Sequence, residues 1–166
     1  MKKFTNPPDT LVIHCTATPA GREVSADDIR RWHTSPLHKG GRGWSQVGYT
    51  DMIHLDGQVE NLVPNDYDNV VEPWEITNGV AGMNSVCLHV VYVGGLNVVL
   101  MKPQDTRTPE QKKALETYVK KIIRNNPDVQ VAGHYQFDPG KACPSFNVPE
   151  WLKSIGIEEK NIYRKP

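Results

Sequence analysis

At 166 residues the chain has the length of one domain, large enough to bury a core without disulfide or metal staples, so a single domain over residues 1–166 is expected. Nineteen basic and nineteen acidic residues cancel. With no basic excess to grip phosphates, general nucleic-acid binding is not expected, and no apolar run approaches the ~20 residues of a membrane helix. Met1-Lys2-Lys3 is followed by Phe4-Thr5-Asn6-Pro7-Pro8-Asp9 rather than an apolar segment, so no secretory leader is expected and the protein should be cytoplasmic when made. Three cysteines are too few and too odd in number for a disulfide framework. Cys15 and Cys87 read as buried thiols, the usual state of a free cysteine.

Along the chain, Thr10–Ala17 is β-branched and apolar and predicts a strand. Its period of two puts Val12, His14 and Thr16 on one face, and Leu11, Ile13 and Cys15 on the other. Ser25 is an N-cap candidate, with Asp27 and Asp28 in the first turn of a helix running to about His33. Ile29 and Trp32 mark its buried side. Thr34–Trp44 reads as a loop, with Trp44 either packed or walling a groove.

Tyr49–Leu55 and Gln58–Val63 predict two strands around an Asp56-Gly57 hairpin turn. Pro64–Asn84 shows no period and reads as a long loop with one helical turn. Val86–Val93, almost continuously apolar, predicts a central strand buried on both faces. Thr108-Pro109-Glu110-Gln111 combines an N-cap, a proline at the first helical position and a capping-box glutamine. The helix beyond it, to about Arg124, places Leu115, Val119, Ile122 and Ile123 on one side. Val129–Ala132 is a short strand, and Val148–Ile155 a last helix. This order, β-α-β-β-loop-β-α-β-α, predicts an α/β fold with a mixed central sheet flanked by helices.

Chemistry concentrates in Gly133–Phe146, a segment too rich in glycine and proline for regular structure. It carries His134, Lys141 and Cys143. Imidazole and thiolate are preferred zinc ligands, and His14, at the end of the first strand, is the best third candidate. Two histidines, a cysteine and an open fourth position make a catalytic rather than a structural site. Lys141, two residues before Cys143, is within reach of anything the metal holds. Of the other histidines, His33 and His38 read as solvated, His54 as a structural or surface residue, and His89 as a core histidine that needs a hydrogen-bond partner.

Several segments occur together in one order: Val12-Ile13-His14-Cys15-Thr16-Ala17-Thr18-Pro19, Gly43-Trp44 through Val47-Gly48-Tyr49, Asp56-Gly57, Asn84 through Gly94-Gly95, Thr108-Pro109-Glu110-Gln111, Gly133-His134, and Lys141-Ala142-Cys143-Pro144-Ser145-Phe146. In this the chain resembles the zinc-dependent N-acetylmuramoyl-L-alanine amidases, which include bacteriophage amidase-lysozymes and peptidoglycan recognition proteins. The resemblance spans about Leu11–Leu152. It implies a three-layer α/β domain, Zn2+ held by His14, His134 and Cys143, and Tyr49 and Lys141 as the catalytic pair. The implied reaction is hydrolysis, by a zinc-activated hydroxide, of the amide joining N-acetylmuramic acid to L-alanine of the stem peptide. The partner is then peptidoglycan or a muropeptide, and the protein is expected to be a monomer. Two departures stand out. Thr50 replaces the histidine that phage enzymes often carry after the tyrosine, and His89 stands where many members have glycine. The alternative reading is a peptidoglycan-binding module without catalysis, in which the cysteine ligand is most often the residue replaced; here Cys143, Tyr49 and Lys141 are all present.

Overall fold

The computed structural model describes residues 8–165; the leader-free reading of the N-terminus falls on Met1–Pro7, outside them. The elements in chain order are β1 (Thr10–Cys15), β2 (Thr18–Pro19), α1 (Ala26–Thr34), β3 (Asp51–Ile53), β4 (Val59–Asn61), β5 (Cys87–Tyr92), β6 (Gly95–Leu96), α2 (Pro109–Asn125), β7 (Gln130–Gly133) and α3 (Val148–Ser154). Five strands form one sheet in the order β4-β3-β5-β1-β7. β3, β5, β1 and β7 run parallel, and β4 returns antiparallel through the Asp56-Gly57 turn. The sheet is therefore mixed, with β5 in the middle as its continuous apolar run predicts. β2 and β6 pair in parallel beyond the ends of β1 and β5.

Alternation on β1 sorts its side chains as expected. Leu11, Ile13 and Cys15 join Leu88, Val90 and Tyr92 under α2 and α3, against Leu115, Val119, Ile122, Val148 and Leu152. The opposite face packs Met52, Val91 and Val93 against Val24, Ala26 and Ile29 of the α1 layer. Three layers result because each sheet face is apolar and each helix has one apolar stripe to bury.

The predicted caps form. Ser25 Oγ accepts the Asp28 amide at 3.0 Å, and Asp28 accepts that of Ser25 at 3.0 Å. Thr108 and Gln111 make the same reciprocal pair, both at 3.0 Å. The predicted strands at 49–55 and 58–63 shorten to three residues each. The long loop holds the one turn expected, a 3-10 turn at Pro73–Glu75, and a second, Asn84–Val86, runs from its end into the predicted strand, so that β5 begins at Cys87.

A polar cluster that local pattern did not announce lies at the start of β3. Asp51 is buried and accepts from Tyr118 Oη at 2.6 Å, Tyr67 Oη at 2.8 Å and Asn61 Nδ2 at 2.9 Å. Removing one donor from a buried carboxylate costs about 1.5–3 kcal/mol. Tyr118→Phe is therefore expected to lower unfolding free energy by about that amount with metal content unchanged, measured by denaturant titration and metal analysis.

Candidate active site

The parallel strands all end at one edge of the sheet, where the chemistry collects. β1 delivers His14 on the face opposite Cys15, and the chain leaving β7 turns directly into a 3-10 segment beginning at His134. Gly133 permits this turn by close approach: a Cβ there would lie 2.7–2.9 Å from Tyr135, Val148 and Pro144. The following loop closes on itself, the Tyr135 amide donating to the Cys143 carbonyl at 2.9 Å and the Lys141 amide to that of Asp138 at 2.9 Å. It is also pinned from below. Tyr92 Oη donates to the Pro144 carbonyl at 2.6 Å. Arg107, paired with Asp105, stacks 3.4 Å from the centre of the Phe146 ring. Arg107 gave no motif-level signal in the sequence, and its role in seating this loop is purely tertiary.

His14, His134 and Cys143 come together as anticipated, with one ligand atom from each lying within 4.8 Å of the others. His14 Nδ1 is 3.7 Å from Cys143 Sγ. Nitrogen and sulfur on one tetrahedral zinc would stand about 3.5 Å apart, from bond lengths of about 2.0–2.1 and 2.3 Å, so the donor set and its spacing fit that ion. The Cys15 amide points at Cys143 Sγ from 3.2 Å, a donor suited to a thiolate. His14 Nε2 contacts His89 Nδ1 at 2.9 Å, and His89 Nε2 contacts Asn84 Oδ1 at 3.0 Å. His89 is thus a fully buried histidine with its polar atoms satisfied, as expected of a core position.

Beside this cluster lies a cavity of about 190 Å³, lined by His14, His33, Arg42, Trp44, Tyr49, His134 and Lys141 among others. It adjoins two shallower depressions. One shares Trp44, Asn78 and Ala81; the other shares Lys141 and runs along Pro103, Tyr135 and Phe146. Together they make a groove past His14 and His134, with Trp44 on its wall. A larger concavity, about 530 Å³, lies elsewhere, between α2 and the β3–β4 turn. It contains none of the three candidate ligands.

Tyr49 stands beside His14, ring centres 5.0 Å apart. Burial pushes its phenol well above the usual value, with nearby thiols adding to the effect, so it is a neutral hydrogen-bonding group at any physiological pH. Lys141 is exposed and reaches the cavity from the loop.

The structure corrects one histidine. His33 is not solvated: it is buried, its Nδ1 accepts the Gly48 amide at 2.9 Å, and its ring packs on Trp44 and Tyr49 at 4.9 and 5.2 Å. Position 33 is four residues from Ile29 and shares its stripe, and the 43–49 loop folds over it. His38 is exposed. His54 is a mostly buried structural histidine held by Glu23 at 2.9 Å and Glu60 at 2.8 Å. Cys15 and Cys87 are buried as expected, and burial pushes the Cys87 thiol up to about 12.

Burial lowers the pKa of His33 to about 4, helped by the charge of Arg42, and that of His89 to about 3, helped by His134. Both are neutral in the fold and gain a proton on unfolding below about pH 6.5. Their contribution is therefore fully present above pH ~6.5 and is lost as pH falls toward the folded values. These two groups are expected to take stability from the metal-free protein from about pH 6.5 downward, partly offset by His54 and Glu72, whose pKa values are raised. His33→Asn should flatten that slope in denaturant midpoints taken across the range.

An α/β domain with a convergent His-His-Cys set at the C-terminal edge of parallel strands, open to a groove, defines a candidate metallohydrolase. Residues 4–146 match the family described as N-acetylmuramoyl-L-alanine amidase, and the chain belongs to that family. It is 33% identical over 154 residues to an endolysin of Enterobacteria phage K11, covering 92% of this chain and 91% of that protein. The fold is similar to that of the Ph2119 endolysin from a Thermus scotoductus bacteriophage, with TM-score 0.64, 24% identity, and coverage of 92% and 86% of the two chains. It is likewise similar to the amidase LysC from Clostridium intestinale, with TM-score 0.66, 20% identity, and coverage of 94% and 90%. Among the described residues no helix is long and apolar enough to cross a membrane.

Proposed function

We propose that this protein is an endolysin-type peptidoglycan amidase that holds zinc at His14, His134 and Cys143 and hydrolyses the bond between the lactyl group of N-acetylmuramic acid and L-alanine of the stem peptide. The observation that carries the reading is the convergence of three zinc-compatible donor atoms within 4.8 Å on a groove that also presents Tyr49 and Lys141. Family membership supplies the substrate class.

Zinc, when bound, supplies Lewis acidity, lowering the pKa of a coordinated water toward 7 and polarising a carbonyl. The chain's own groups do the rest. The groove lets an extended glycan-peptide lie across the ligands. The Lys141 ammonium, at the rim of the same cavity, would stabilise negative charge as it develops on the amide oxygen. The Tyr49 phenol, held neutral, donates a hydrogen bond toward that oxygen or orients the attacking water. Trp44 offers a flat apolar wall to the substrate.

Digestion of purified sacculi tests this reading. Release of free L-alanine amino termini without new reducing sugar ends, abolished by a chelator and restored by zinc, is the expected result. Binding to sacculi without any cleavage, by protein carrying one zinc per chain, would leave a peptidoglycan-binding module instead.

A further inference from the structure

We propose that His89 is a positioning residue for the metal site: backed by Asn84, it fixes the tautomer and ring plane of His14 so that Nδ1 of His14 is presented as a free lone pair. This inference rests on the reading of His14 as a metal ligand. It follows from the direction of three hydrogen bonds.

Asn84 sets the direction of the whole hydrogen-bond chain. Its Oδ1 accepts the backbone N–H of Val80 at 2.9 Å. A flipped amide would set an NH2 group against that N–H, donor to donor, so the oxygen must face this way. The same oxygen is 3.0 Å from His89 Nε2, which must therefore donate. A neutral imidazole with its proton on Nε2 has an acceptor at Nδ1. That acceptor is 2.9 Å from His14 Nε2, so His14 carries its proton on Nε2 and leaves Nδ1 bare. Nδ1 is the atom that faces Cys143 Sγ at 3.7 Å.

The placement is built into the sheet. In the parallel register Val12 pairs with His89 and His14 with Val91, so His89 lies one pleat before His14 on the same face, and the two rings sit 5.1 Å apart. Gly79 closes over the imidazole: a Cβ there would come within 2.3 Å of His89 Nδ1. The ring is thus clamped in the plane that serves His14. Metal-bound histidines commonly donate their second nitrogen to a carboxylate, a carbonyl or water; here a second histidine takes that place and an asparagine orients it.

The test uses the full chain and zinc as the probe. Long-range proton–nitrogen NMR spectra of the metal-free protein should show His14 protonated at Nε2. His89→Phe, which removes the acceptor from a ring of similar size, should let both His14 tautomers appear and weaken zinc binding, measured by chelator competition, by about 10–100-fold. Asn84→Leu should do the same in part, while Asn84→Asp, which keeps an acceptor oxygen, should hold wild-type affinity. If His89→Phe fails to fold, Asn84→Leu and Asn84→Asp carry the comparison. A wild-type His14 protonated at Nδ1, or folded variants whose melting point drops while zinc affinity stays put, overturns the proposal. Wild-type protein that binds no zinc overturns the metal reading instead, and the tautomer spectrum still decides the role of His89.

Discussion

Cys143→Ser is expected to strip the protein of zinc and reduce hydrolysis of sacculi to background. A hydroxyl is a far poorer ligand than a thiolate, and only two histidines would remain of a site that needs three protein donors. The loss should exceed the ~10–100-fold typical for removing an outer partner of a ligand. The fold should survive. The loop is seated by contacts that do not use the sulfur, namely Tyr92 on the Pro144 carbonyl and Arg107 on Phe146, and Cys143 is only partly buried. Metal analysis, circular dichroism and the sacculus digest on one preparation check all three statements. A folded serine variant that keeps one zinc per chain and the wild-type rate would remove Cys143 from the site.

Lys141→Ala should have the opposite profile: full zinc content, unchanged stability and turnover lower by about 10²–10³, the usual consequence of losing one oxyanion donor. Lys141 is exposed, so its truncation leaves no cavity. Lys141 lines the same cavity as His134 and Tyr49. Because the lost interaction strengthens only as charge develops, the effect should appear in kcat rather than KM. Tyr49→Phe should also keep its zinc and lose rate through a single hydrogen bond. A lysine variant with normal metal content and a wild-type rate would make Lys141 an ordinary surface residue.

The two site predictions differ in how far the sequence alone could take them. His14 and His134 announce themselves by residue type and by position at strand ends, and Cys143 by residue type in the loop that follows His134. No spacing rule joins positions 14 and 134; the link is that β1 and β7 are parallel neighbours, with Ile13 opposite Gly133. Tyr49 had no local chemical signal and entered through the family resemblance. His33 misled because a histidine at a polar helix end reads as solvated. Its burial depends on the 43–49 loop crossing the helix, which periodicity in the helix cannot show.

His89 lies between these cases. A histidine in an apolar strand must find a partner, so a buried polar contact was legible. Its identity was not, because it depends on the register of β5 against β1 and on the return of Asn84 to the sheet edge. Asp51 is similar: its partners come from three segments, at Asn61, Tyr67 and Tyr118.

By itself the sequence determined the elements and their faces: strand alternation that parts His14 from Cys15, capping residues that start α1 and α2, and the apolar run that makes β5 central. These are local properties, set by the pleat, the helical period and backbone hydrogen bonding within a few residues. Only the tertiary structure decided which chemistry the elements share. Sheet order and register brought β1, β5 and β7 side by side, and two loops closed over their ends. Placing a nitrogen 3.7 Å from a sulfur contributed 129 positions later is the outcome of packing two sheet faces at once, and no short stretch of chain contains that information.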